Sequence, residues 1–183
     1  MCRRKTLAMQ EIEQSCISHN FDVNELLGKS RLLLKTYQSI HWTAIGLKEI
    51  DADDSYCFST EEMKCALDYL NSFPSDEKPL ILERRLRELF DPRWIVELVE
   101  SSLVQVNAFP KKGPLYYEIL QKMYCTSNVY TESDLLDILK LERSRFYELK
   151  KEAFLVFGLA LWGTVLPKVL AMIEAEPLLP YEF

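Results

Sequence analysis

LKLERSRFYELKKEAF, residues 139–154, sets a short apolar run, a charged turn and a basic aromatic helix side by side, and its reading decides the fold. At 100° per residue, Phe146, Leu149, Ala153 and Val156 fall on one side of a helix and form its core face, while Ser144, Tyr147, Glu148 and Lys151 fall opposite. Just upstream, TESDLLDILK offers Thr131 as an N-cap with Asp134 at N3, and Leu135, Leu136 and Leu139 as the buried side of a shorter helix. The turn between the two is tight, residues 140–142, with Leu141 as the apolar residue that pins it to the core. PLYYEILQKMYC supplies a further helix before them. Three helices in this order are the minimal helix-turn-helix plan.

If the last of these helices enters a major groove, Arg143, Ser144, Arg145, Tyr147, Glu148, Lys150 and Lys151 are the groups that double-stranded DNA meets. Arginine bonds guanine O6 and N7 in bidentate fashion, glutamate accepts from cytosine N4, and lysine neutralises phosphate. The competing reading is a solvated, mixed-charge helix face, because Glu142, Glu148 and Glu152 nearly cancel the four nearby cations.

Working outward, nearly every other segment carries helical period and helical punctuation, so the fold is expected to be all-α. A helix over residues 24–50 repeats Leu26, Leu33, Ile40 and Leu47 every seven residues, with Tyr37 and Ala44 between them. That seam suits a second copy in a homodimer or packing within one chain, and Ser30 together with Leu27, Leu34 and Ile45 makes it broader than a coiled-coil stripe. DADDSYCFSTEE is an acidic loop ending in a capping box, Ser59 with Glu62, before a helix over residues 60–73. ILERRLRELF is amphipathic, and Asp91-Pro92 supplies an N-cap and a rigid first position for a helix reaching about residue 107. AFPKKGP, residues 108–114, interrupts the pattern with two prolines and a glycine. We therefore divide the chain into a helical N-terminal region, 1–107, and a helix-turn-helix domain with an apolar C-terminal helix, 108–183.

The run FLVFGLALWGTVLPKVLAMI, residues 154–173, reaches membrane-spanning length with one charge, Lys168. It continues a charged amphipathic helix and contains Gly158, Gly163 and Pro167, so it reads as a buried helix end, a break over residues 163–167 and a short final helix, with no membrane partner. Trp162-Gly163 reads as a core plug and a helix stop. The MCRRKTLAMQEIEQ start turns polar too early for a secretory signal. Five scattered cysteines with no CxxC pair point to free thiols in the cytoplasm.

A net charge of −6 confines any DNA contact to a local surface. Only 5 glycines in 183 residues leave a phosphate-cradling loop little to work with. The paired carboxylates Asp53-Asp54 and Glu61-Glu62 have no partnered histidine, so neither an enzyme mechanism nor a metal or cofactor is expected.

GPLYYEILQKMY, ESDLLDILKLERSRFYELKKEAF and LALWG together resemble the C-terminal part of the ArpU/RinA-like family of phage-type transcriptional regulators of Gram-positive bacteria, over residues 113–163. LLLKTYQSIHWTAI is similar to upstream sequence in such proteins. The resemblance implies a helix-turn-helix like region 4 of sigma factors, a DNA-binding regulator of phage origin, and a possible contact with RNA polymerase. This chain differs in carrying Glu142 where a serine cap is usual, Glu148 where a basic residue follows the paired aromatics, and Arg145 where a small hydroxyl residue is usual. The other reading keeps the sigma-like fold but makes it a protein-interaction module.

Overall fold

The computed structural model describes residues 5–48, 59–126, 128 and 130–175, with the backbone alone over 45–48. Cys2, Cys57, the Asp53-Asp54 pair, the side chains of Ile45 and Leu47, and the end of the helix expected to reach residue 50 lie outside the described residues. The protein is all-α, and no strand occurs among the described residues.

Nine α-helical segments follow in chain order among the described residues: α1 Leu7–Ser18, α2 Val23–Lys48, α3 Thr60–Ser72, α4 Pro79–Leu89, α5 Pro92–Asn107, α6 Gly113–Leu120, α7 Glu132–Leu139, α8 Arg143–Ala160 and α9 Leu166–Ala175. Their starts follow local chemistry. The Ser59 hydroxyl accepts from the Glu62 amide while the Glu62 carboxylate accepts from the Ser59 amide, which satisfies two otherwise orphaned donors. Asp91 caps α5 by accepting from the Arg93 amide at 2.7 Å, with Pro92 preset for the first turn. α1 is the helix that pattern reading passes over. Its buried stripe is only Met9, Ile12 and Cys16, while Leu7 and Ile17 point outward.

α8 is the axis of the fold, with α1, α2, α5 and α6 packed around it. From Glu152 to Gly158 every one of its residues is buried, which accounts for a run too apolar for a surface helix. One continuous helix, Arg143–Ala175, is long and apolar enough to cross a membrane, and 61% of its most apolar stretch is buried inside the fold. The break expected over residues 163–167 is absent. The helix instead widens into a π turn, Leu161–Val165, where the Leu166 amide donates to Leu161, five residues back. Pro167 has no amide hydrogen and would crowd the carbonyl four residues earlier, and the widened turn carries the helix past it. Gly163 thus sits inside a helix and stops nothing. Trp162 is a core plug, with its indole N–H donating to the Leu70 carbonyl at 3.0 Å.

The seven-residue seam of α2 is buried within the chain: Leu26, Leu33, Tyr37, Ile40 and Ala44 are at most 3% exposed. Ser30 on that seam meets Gly158 of α8, where an added Cβ would lie 2.6 Å from the Ser30 hydroxyl and 2.7 Å from Leu26. Small residues at this crossing let the two longest helices approach closely. Helices from both sides of the 108–114 turn therefore contribute to one continuous core.

Candidate nucleic-acid interface

α7 is fastened at both ends. Thr131 and Asp134 exchange amide bonds in a second capping box. At the other end Lys140 takes the left-handed conformation, φ 52°, and the amides of Lys140 and Leu141 both turn back to the Leu136 carbonyl. Leu141 then packs against the core, and Glu142, in extended conformation, accepts from the Phe146 amide to start α8. The Glu142 carboxylate makes no cap bond of its own.

Lysine carries a Cβ penalty in the left-handed region that glycine does not. Lys140→Gly is accordingly expected to stabilise the protein by about 1 kcal/mol, raising its melting temperature by roughly 2–4 °C in thermal unfolding. A lowered melting temperature would contradict this geometry for the turn.

The phase expected for α8 holds. Phe146, Leu149, Ala153 and Val156 are buried, and Arg143, Ser144 and Tyr147 are exposed, while Arg145, Glu148, Lys150 and Lys151 are half-buried. Glu132, at the start of α7, accepts from the Tyr147 hydroxyl at 2.7 Å and the Lys150 ammonium at 2.6 Å, so one carboxylate ties the two helices together. These hydrogen bonds, that from Lys150 foremost, hold the Glu132 carboxyl below its ordinary range. Arg145 donates to Glu148 at 3.0 Å, and the Arg143 guanidinium lies over the Tyr147 ring, 5.9 Å from its centre. On α8 itself, then, the four cations do not form an unbroken positive face: Arg145 and Lys150 are paired with carboxylates.

Tyr147 and Lys151 form a ridge between two grooves. On one side a cavity of about 390 Å³ separates α8 from the start of α1, where Ser144, Glu148 and Glu152 face Lys5, Thr6 and Met9. On the other a groove of about 450 Å³ separates α8 from α2, where Lys150, Lys151 and Phe154 face Arg31, Lys35 and Tyr124. The first wall of α8 carries Glu148 and the second Lys150, with Lys151 on the ridge between them. Arg31 and Lys35 are exposed, and the Arg31 guanidinium lies over the Phe154 ring at 5.6 Å. Reading along the chain does not find these two residues. They stand more than a hundred positions before α8, and their one signal is that they bracket the Leu32-Leu33-Leu34 run as the outward residues of one turn of α2.

Glu152 does not offset the cations at the surface. It is 0% exposed, and its carboxylate accepts from the Thr6 hydroxyl at 2.6 Å, the Tyr116 hydroxyl at 2.7 Å and the Lys112 ammonium at 3.1 Å. Burial by itself pushes this carboxyl up. The three hydrogen bonds and the Lys112 charge outweigh it and hold the group below its ordinary value.

Comparison with protein-family models, with curated proteins and with solved structures finds no match to this chain.

Proposed function

We propose that this protein is a DNA-binding transcriptional regulator of the phage type, which sets the first turns of α8 into the major groove of duplex DNA. The observation that carries this reading is the exposed start of α8, with Arg143, Ser144 and Tyr147 outward directly after the fastened α7 turn. A major groove about 12 Å wide admits such a helix, and residues at its N-terminal end reach base edges. Arg143 reads guanine, Ser144 and Tyr147 make adaptable polar contacts, and Lys151 on the ridge neutralises phosphate. The protein works in the cytoplasm without a cofactor, and any activation comes from contact with RNA polymerase once α8 is seated.

Fluorescence anisotropy with a labelled duplex of mixed sequence, titrated in rising salt, tests this directly. The native chain binds at about 50 mM salt and weakens as salt rises. The Arg143→Ala/Arg145→Ala/Lys151→Ala variant, still helical by circular dichroism, binds far less. Glu148→Gln is expected to bind several-fold more tightly at low salt than the native chain, because it removes a negative charge 3.0 Å from the Arg145 guanidinium.

The pairing of Arg145 with Glu148 and of Lys150 with Glu132 favours a second reading, a protein-interaction module on the same scaffold. Absence of duplex binding by the native chain at low salt would move the assignment there.

A further inference from the structure

We infer that α2 is part of the DNA-binding surface, with Arg31 and Lys35 holding the phosphodiester backbone beside the base pairs that α8 reads. This inference rests on the proposed seating of α8 in the groove and assigns the side on which the backbone runs.

The two grooves flanking the Tyr147–Lys151 ridge differ in charge. On the α1 side Lys5 faces Glu148 and the fully buried Glu152, so cations and carboxylates are mixed there. The α2 side is lined by four cations, Arg31, Lys35, Lys150 and Lys151, and by no carboxylate. Glu132 neutralises Lys150 from outside this lining. Arg31, Lys35 and Lys151 form no ion pair with a carboxylate among the described residues, so three uncompensated charges converge on one groove in a chain whose net charge is −6. A protein with a surplus of acid that gathers unpaired cations along a groove has built a local anion track.

The dimensions suit a nucleic-acid strand. Lys150 and Lys151 follow Arg143 by seven and eight residues, about 11 Å along the helix axis. With the first turn of α8 inside a groove about 12 Å wide, these lysines come level with the strand that borders it. Arg31 and Lys35 stand one turn of α2 apart, about 6 Å, across the groove from them. They extend the same line of positive charge. Tyr124 and Phe154 form its floor, where burial keeps the Tyr124 hydroxyl protonated by raising it to about 12.

The test is the salt dependence of duplex binding by the full chain, measured by anisotropy on a mixed-sequence duplex. Three proteins are compared: native, Arg31→Ala/Lys35→Ala, and Arg84→Ala/Arg85→Ala. The last removes the same two charges from the exposed face of α4, outside the groove. Each phosphate contact contributes about 0.9 to the slope of log affinity against log salt. The Arg31/Lys35 variant should therefore show a slope shallower by about 1.8, equivalent to roughly 60-fold weaker binding at 0.1 M salt if affinities converge at 1 M. The α4 variant should keep the native slope. Native binding with an unchanged slope in the Arg31/Lys35 variant overturns the α2 assignment and leaves α8 as the reading helix. An equal loss of slope in both variants also overturns it, since only overall charge would then matter. No binding by the native chain overturns both this inference and the proposed function.

Discussion

Glu152→Ala is expected to unfold about 10 °C below the native protein, the largest loss we foresee from a single polar side chain. The carboxylate is fully buried and is the acceptor for three donors from three places: Thr6 before α1, Lys112 before α6, and Tyr116 within α6. Removing it leaves the Tyr116 hydroxyl and the Lys112 ammonium without their acceptor and opens a cavity beside Ala153. Orphaned buried donors cost about 1–3 kcal/mol each, and breaking a buried ion pair costs about 3–5 kcal/mol. A net loss of about 4 kcal/mol corresponds to roughly 8–16 °C for a chain of this size. Glu152→Gln, which keeps the shape and one acceptor oxygen, should lose about half as much.

The same site has a pH signature. The folded carboxyl lies below its ordinary value, so in acid the unfolded chain binds more protons than the folded one. Its contribution is therefore complete above the unfolded value, about 4.3, and is lost as pH falls through the lower folded value. The stability gap between native and Glu152→Gln proteins, followed by urea unfolding, should shrink as pH falls from about 6 toward 3. A gap that stays constant would show that the charge of Glu152 contributes nothing.

Gly113→Ala is the second large effect, about 3 kcal/mol of destabilisation, at the upper end of what overpacking costs. The cause is close approach, since Gly113 has ordinary negative φ. A Cβ at this position would lie 2.5 Å from the Asn107 carbonyl oxygen and 2.6 Å from that of Val106. Both are backbone atoms at the end of α5, so no rotamer change relieves them. The α5–α6 turn would have to open, and α6 carries Tyr116 and follows Lys112, the partners of Glu152. Gly163→Ala is the control. Its added Cβ would meet only the rings of His19 and Phe21, both at 3.6 Å, so replacing a helical glycine should be neutral or stabilising by up to about 1 kcal/mol. Equal melting temperatures for Gly113→Ala and the native chain would refute the packing of this turn.

Local chemistry was legible along the chain wherever a few neighbouring residues determine it. The Ser59 capping box, the Thr131 N-cap and the Asp91-Pro92 start appear as read, because each is closed by groups at most three residues apart. The buried phase of α8 was equally legible, since a period of 3.6 leaves one possible core face for Phe146, Leu149, Ala153 and Val156. The end of that helix was not. Gly163 and Pro167 both argue for a stop on local grounds, but α2, α5 and α6 bury the run and α3 packs on α9, so continuing through a π turn outweighs stopping.

Taken alone, the sequence determined an all-α chain, the identity and caps of most helices, and the residues exposed at the start of α8. Periodicity and capping are local properties, and a one-dimensional string records them in full. Which charges survive was decided by tertiary structure alone. Glu152 looked like a surface counter-charge and is a buried acceptor for Thr6 and Tyr116, 146 and 36 residues away. Glu132 reaches across the turn to neutralise Lys150, while Arg31 and Lys35, far away in sequence, stand on the basic groove of α8 with no ion pair among the described residues. Electrostatic energy depends on distance through space, and no spacing rule along the chain supplies those distances.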